Sequence, residues 1–178
     1  LFSATLLARD RETSFLQRLY TTPLKSMDFI LGYILPIVPI ALAQSAICFL
    51  IAVLLGLPVT VNILFAILMM LPVSLFYISL GLLCGSLLGV KQVGGICGAL
   101  LTNLSAWLSG VWFDLKLVGG IFEKAANALP FVHAVEMERS VLQGDYAGVF
   151  PHLWWVLGYA FLALLAAIWV FLRQMKRQ

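Results

Sequence analysis

The sequence predicts an all-α polytopic membrane domain, and three observations carry that expectation. The 178 residues are 62% hydrophobic and only 11% charged, against about 25% charged in soluble domains. The mean hydropathy is +1.04. The apolar residues also gather into runs of the roughly 20 residues that a spanning helix needs, over 29–55, 63–89, 93–113 and 152–172. These make four complete spans, and the chain reads as a fragment that begins near the end of a preceding one.

That preceding end is Leu1 to Ala8, which is apolar but far too short to span. No charged stretch precedes it, so a cleavable signal peptide is not expected. Residues 9–27 are different in character. From Arg9 to Tyr20 apolar residues recur at helical spacing (Phe15, Leu16, Leu19, Tyr20) among charged and polar ones. Thr22-Pro23 then ends the helix, because proline lacks a donor and restricts its predecessor. A helix too polar to span, joined directly to spans, lies on the membrane surface or docks into a soluble partner.

The span over 29–55 contains Pro36 and Pro39, which predict a kink in its first half. The next, 63–89, carries Gly81, Gly85 and Gly89 at four-residue intervals, and 93–113 carries Gly94 and Gly98. Small residues four apart let helix backbones approach closely in lipid, so these two glycine faces are expected to pack as a hairpin. Residues 114–151 hold Asp114, Lys116, Glu123, Lys124, Glu136, Glu138, Arg139 and Asp145 and no spanning window. Two short interfacial or re-entrant helices are expected there, over 115–128 and 132–143, broken at Leu129-Pro130 and closed by Gly144. Residues 173–178 form a basic tail.

Orientation follows from the basic residues. Arg9, Arg11, Arg18, Lys25, Lys91, Arg173, Lys176 and Arg177 all fall on one side of a four-span layout. The excess of Lys and Arg therefore marks the cytoplasmic side, not a nucleic-acid patch. Trp107, Trp112, Trp154 and Trp155 gather near the outer boundary and Trp169 near the inner one.

Arg11-Glu12-Thr13, with Leu16, Leu19 and Thr21-Thr22-Pro23, resembles the coupling-helix signature of ABC-2 type transporter permeases. The pattern in that family is Glu-x-Gly-Thr-x-x-x-Leu-x-x-Thr-Pro; here the glycine is absent and Thr13-Ser14 stands in its place. The run from Leu129-Pro130 to Glu136, with Arg139, is similar to the family's Asn-Pro…Arg stretch before the last span. The resemblance spans nearly the whole chain and is closest to drug- or multidrug-export permeases. It implies a type V-like transmembrane domain of six helices, of which the first and most of the second are not in this chain. It implies that residues 9–23 dock onto a cytoplasmic ABC ATPase subunit. The expected contacts are apolar anchors from Phe15, Leu16, Leu19 and Tyr20, with register set by Arg11, Glu12 and Arg18. It also implies a homodimer or a sister permease, a plasma-membrane location, and ATP and Mg on the partner subunit, with no cofactor bound by this chain.

No enzyme constellation is legible. His133 and His152 belong to no metalloprotease run, and Gly94-Gly95 is not followed by the Lys-Ser/Thr of a phosphate loop. Glu136 and Arg139, three apart on a helix, read as a local ion pair. Cys48, Cys84 and Cys97 lie in apolar runs without metal-site spacing. The spans contain no Asp, Glu, Lys, Arg or His deep inside, which argues against the alternative of a free-standing secondary transporter or channel. The polar groups left in the spans suit helix–helix hydrogen bonds, and Tyr77, Asn103 and Ser105 are the candidates for a substrate path. The expected function is export of a drug-like, lipid-like or peptide cargo.

Overall fold

The computed structural model describes residues 1–13 and 26–175, and among these every regular element is helical. Helix α1 covers Phe2–Glu12, α2 Ser26–Leu54 and α3 Asn62–Leu87. A broken helix follows, formed by α4 (Val90–Val93), a π-helical segment (Gly94–Leu101) and α5 (Thr102–Leu108). Three short helices, α6 (Leu115–Val118), α7 (Gly120–Ala128) and α8 (Pro130–Gln143), lead to the long α9 (Tyr146–Met175). Three of the described helices are long and apolar enough to cross a membrane: 28–54, 62–87 and 146–173.

Several expectations are corrected. Arg9 to Glu12 do not start a new helix after Ala8; they are the last turn of α1. The run 93–113 is not one regular span. It widens into a π segment and ends at Leu108, where Thr102 Oγ1 donates to the Cys97 carbonyl five residues back (3.0 Å). Residues 115–128 are two helices, because Gly119 and Gly120 adopt positive φ (60° and 64°), a conformation that breaks a helix and suits glycine. The last long helix begins at Tyr146 instead of 152 and runs through Pro151. Proline there has no N–H for the Ala147 carbonyl, so the helix runs on with that one backbone bond missing. Likewise α2 continues through Pro36 and Pro39.

Helix α3 is the centre of the bundle. At one end it meets α1, α2 and α9 around Leu7, Phe29, Tyr33, Leu82 and Phe171. At the other it meets α8 and α9 around Val73, Phe76, Phe131, Met137 and Val156. Asn62 ties that second end: its Nδ2 donates to the Leu142 carbonyl (3.2 Å), and its Oδ1 accepts from the Tyr146 hydroxyl (2.8 Å). Gly144 closes α8 in the left-handed region (φ 81°).

The glycine faces do not pack against each other. Gly81 and Gly85 receive α1, whose Ser3 and Ala4 lie directly against them. Ser3 Oγ donates to the Ile78 carbonyl (3.3 Å). Gly98 faces Leu1, Gly89 faces Glu12, and nothing stands within 4 Å of a methyl placed on Gly94. Helix α1 presents the small residues Ser3, Ala4 and Ala8 to α3, so the two backbones approach closely.

A methyl added at Gly85 would stand 2.5 Å from the Ala4 carbonyl oxygen. Gly85→Ala is therefore expected to destabilise the bundle by ~1–3 kcal/mol, overriding a helix-propensity gain of ~1 kcal/mol. Gly94→Ala is expected to be neutral or slightly stabilising. Reversible unfolding in a mild-detergent/SDS titration measures both, and equal behaviour of the two variants would disprove the packing assignment.

Candidate functional site

Two sites stand along α3. The first is the charged tip of α1. Asp10, Arg11 and Glu12 follow an apolar face that is buried at Leu7 and Ala8, so the helix carries them to the end of the bundle. Each finds a partner on a different element. Asp10 Oδ2 accepts from the Tyr33 hydroxyl of α2 (2.7 Å). Arg11 Nη1 donates to the Gly85 carbonyl near the end of α3 (2.9 Å). Glu12 Oε1 accepts from the Val90 amide that starts α4 (3.1 Å). Thr13 then caps the turn by donating to the Asp10 carbonyl (3.0 Å). Three consecutive side chains thus fasten α1 to α2, α3 and α4. A charged partner makes such bonds worth about 1.5–3 kcal/mol where they are partly buried. Arg11 and Glu12 therefore make intramolecular contacts. Phe15, Leu16, Arg18, Leu19 and Tyr20 lie outside the described residues.

The second site is a cavity of about 650 Å³ between α3, the broken helix and α8. Tyr77, of α3, and Ser105, of α5, both line it. Asn103 is not part of it: it is exposed, and its Nδ2 donates to the Ala99 carbonyl (2.8 Å). Gly81 and Leu1 lie at the cavity's lower edge, so it begins where the α1–α3 contact ends.

Glu138 also lines this cavity, and the sequence groups it only with the other charged residues of 114–151. It is only 8% exposed. Neither carboxyl oxygen has a hydrogen-bond partner, and burial pushes its pKa up to about 8. The signal was present in the spacing: Phe131, Ala134, Glu138 and Val141 fall on one buried stripe of α8. Its neighbours behave as expected, with Arg139 Nη1 donating to Glu136 Oε1 (2.8 Å) on an exposed face.

Behind α8 is a histidine pair. His133 Nε2 meets the Asn127 carbonyl (2.9 Å), so that nitrogen carries the proton. Its Nδ1 lies 2.9 Å from His152 Nδ1 and accepts from it. The His133 ring stacks on Trp155 (4.9 Å between centroids), which stacks on Tyr159. Tyr159 Oη donates to the Ala128 carbonyl (2.7 Å). Burial, reinforced by His152, holds the His133 pKa below its ordinary value. Protonation would set two Nδ1 donors face to face. A depressed histidine pKa means the native state prefers the neutral ring, so stability is full above the ordinary value of about 6.5 and falls as pH drops below it. The thermal midpoint in detergent is expected to fall between about pH 7.5 and pH 5.5, and His133→Gln to remove most of that slope. An unchanged slope in the variant would exclude this pair as its cause.

Among the described residues no cluster of three or more His, Cys, Asp or Glu side chains is placed to hold a metal ion. Comparison with known proteins gives one finding: the family model for ABC-2 family transporter proteins matches residues 1–169. No curated protein and no solved structure matches the chain.

Proposed function

This chain belongs to the ABC-2 transporter family as a multi-pass membrane permease that works with an ABC ATPase subunit, and from that premise we propose that it is half of an ATP-driven exporter. Residues 9–23 couple it to that ATPase on the cytoplasmic side, and cargo leaves across the plasma membrane. The C-terminus lies in the cytoplasm with Arg9, Lys91 and Arg173. ATP and Mg are held by the partner, and two permease domains, identical or sister chains, enclose the path.

The observation that carries this reading is the fastening of α1. A coupling segment can transmit movement only if its root is rigidly joined to the spans. The root here is Asp10-Arg11-Glu12, joined to α2, α3 and α4 within one turn. A push on residues 14–25 would reach all three elements together. Phe15, Leu16, Leu19 and Tyr20 serve as the apolar anchors in the ATPase groove, since a few buried apolar side chains dominate such interfaces. Arg18 sets register by charge. The cavity above Gly81 supports the reading as a chamber within reach of that movement.

Two substitutions separate docking from transmission. In the chain extracted with mild detergent, Leu19→Asp is expected to abolish co-purification of the ATPase. Arg11→Ala is expected to leave the ATPase bound but to reduce transport per ATP hydrolysed on the order of tenfold, as loss of a charged hydrogen bond would. Retention of the ATPase by Leu19→Asp would refute docking through this segment. Full transport in Arg11→Ala would refute the lever.

A further inference from the structure

We propose that a second cavity, bounded by the end of α5, α6, α7 and α8, holds a zwitterionic phosphate–ammonium group of the kind phosphatidylethanolamine carries. Lys116 receives the phosphate and Glu123 the ammonium. The proposal goes beyond the permease reading, which gives these residues no task.

This cavity has a volume of about 620 Å³, within the range of small-molecule sites. It lies at the end of the bundle away from the α1 tip. The broken helix starts at Val90 against Glu12 and runs to Leu108. Just beyond, residues from Ser109 to Lys116 line the cavity together with residues of α7 and α8. Trp107 and Trp112 are 49% and 65% exposed here, and tryptophan gathers at the level of lipid headgroups. The charged lining agrees with that depth: Asp114, Lys116, Glu123, Glu136 and Arg139 would be costly in hydrocarbon.

Three of these five charges are engaged. Arg139 Nη1 donates to Glu136 Oε1 (2.8 Å). Asp114 Oδ1 accepts from the Lys116 amide (3.0 Å) and caps α6. The Lys116 ammonium and the Glu123 carboxylate remain. They have opposite signs and line one cavity, yet neither forms an ion pair among the described residues. A ligand that carries both charges spans them. An anion alone would meet Asp114, Glu123 and Glu136, and a cation alone would meet Lys116 and Arg139. A phosphate–ammonium group satisfies Lys116 and Glu123 together through charge-assisted hydrogen bonds. Val111 and Trp112, both exposed, continue the cavity as an apolar rim. That rim suits the glycerol and acyl chains of a lipid and gives a soluble zwitterion nothing.

The test is native mass spectrometry of the full-length protein in mild detergent. The probes are phosphatidylethanolamine, phosphatidylglycerol (phosphate without ammonium), a dialkyl trimethylammonium lipid (ammonium without phosphate) and free phosphoethanolamine. Phosphatidylethanolamine is expected to bind about tenfold more tightly than either single-charge lipid, the effect of one charge-assisted contact. Glu123→Gln should erase its preference over phosphatidylglycerol and keep its preference over the cationic lipid. Lys116→Gln should do the opposite. Lys116 is exposed and Glu123 half-buried, so both variants should fold. If one is not monodisperse, the unaltered protein decides: excess phosphoethanolamine should displace the lipid, while ethanolamine or glycerol phosphate alone should not. Equal binding of the three lipids and no binding of phosphoethanolamine, or variants that keep both preferences, would overturn the proposal. Binding of phosphoethanolamine without any preference among the lipids would keep the zwitterion site and overturn the lipid as its source.

Discussion

The close approach of α1 to α3 at Gly81 and Gly85 is the contact on which the rest depends. In lipid, an apolar side chain gains nothing from leaving a solvent that is itself apolar. Helices associate through van der Waals contact and hydrogen bonds, both of which need near approach. A glycine pair opposite Ser3 and Ala4 supplies that approach, and the Ser3 hydroxyl reaches the Ile78 carbonyl because the backbones are so near. Displace α1 by the width of a methyl and Arg11 loses Gly85, Glu12 loses Val90 and the lower edge of the cavity opens. Packing, polar fastening and chamber shape are consequences of one steric fit.

The polar fastening has its own logic. Asp10, Arg11 and Glu12 are consecutive, so a helix directs them about 100° apart. One turn can therefore reach three neighbours and no two of them compete. None of the three partners is a full opposite charge: they are a phenol, a carbonyl and an amide. Such partners give direction without demanding that a salt bridge be desolvated, which is often unfavourable overall.

Much of this architecture was legible in the sequence. Composition and run length marked an all-α membrane domain, Leu129-Pro130 marked the break before α8, and Gly144 its end. The glycine spacing announced close packing, yet it could not name the partner, since small-residue stripes fit any helix with a matching face. The matching face was there in Ser3, Ala4 and Ala8, on what the sequence reads as the short end of a preceding span, whose small side chains do not by themselves announce a packing partner. The π segment left no such trace, because Gly94 to Leu101 reads as an ordinary apolar run. Nor could the sequence pair Asp10 with Tyr33 or Arg11 with Gly85, contacts that exist only once three helices converge. Within the candidate site, Tyr77 and Ser105 were chosen as polar residues in apolar runs, and they share a cavity. Asn103 was chosen on the same ground and turns outward, because a residue's polarity does not say which way its helix faces. Glu138 was passed over for the opposite reason: its charge outweighed its place in the stripe of Phe131, Ala134 and Val141.

The two sites are not independent. Gly81 touches Ser3 on α1 and also lines the cavity, while Gly85, one turn of α3 further on, accepts from Arg11. A helical turn is about 5.4 Å, so the fastening and the chamber edge are separated by little more than one side chain. Packed interfaces tend to switch between discrete arrangements and do not deform smoothly. A tilt of α1 transmitted through Arg11 would therefore have to release Ser3 and Ala4 from the glycines or carry α3 with it. Either movement changes the cavity wall to which Tyr77 belongs. Glu138 approaches from α8, which is tied to the far end of α3 through Asn62 and Leu142. Motion at the near end thus shifts Tyr77 and Ser105 relative to a carboxyl anchored at the other end. That difference in anchoring is what lets a short charged turn act on a cavity it does not touch.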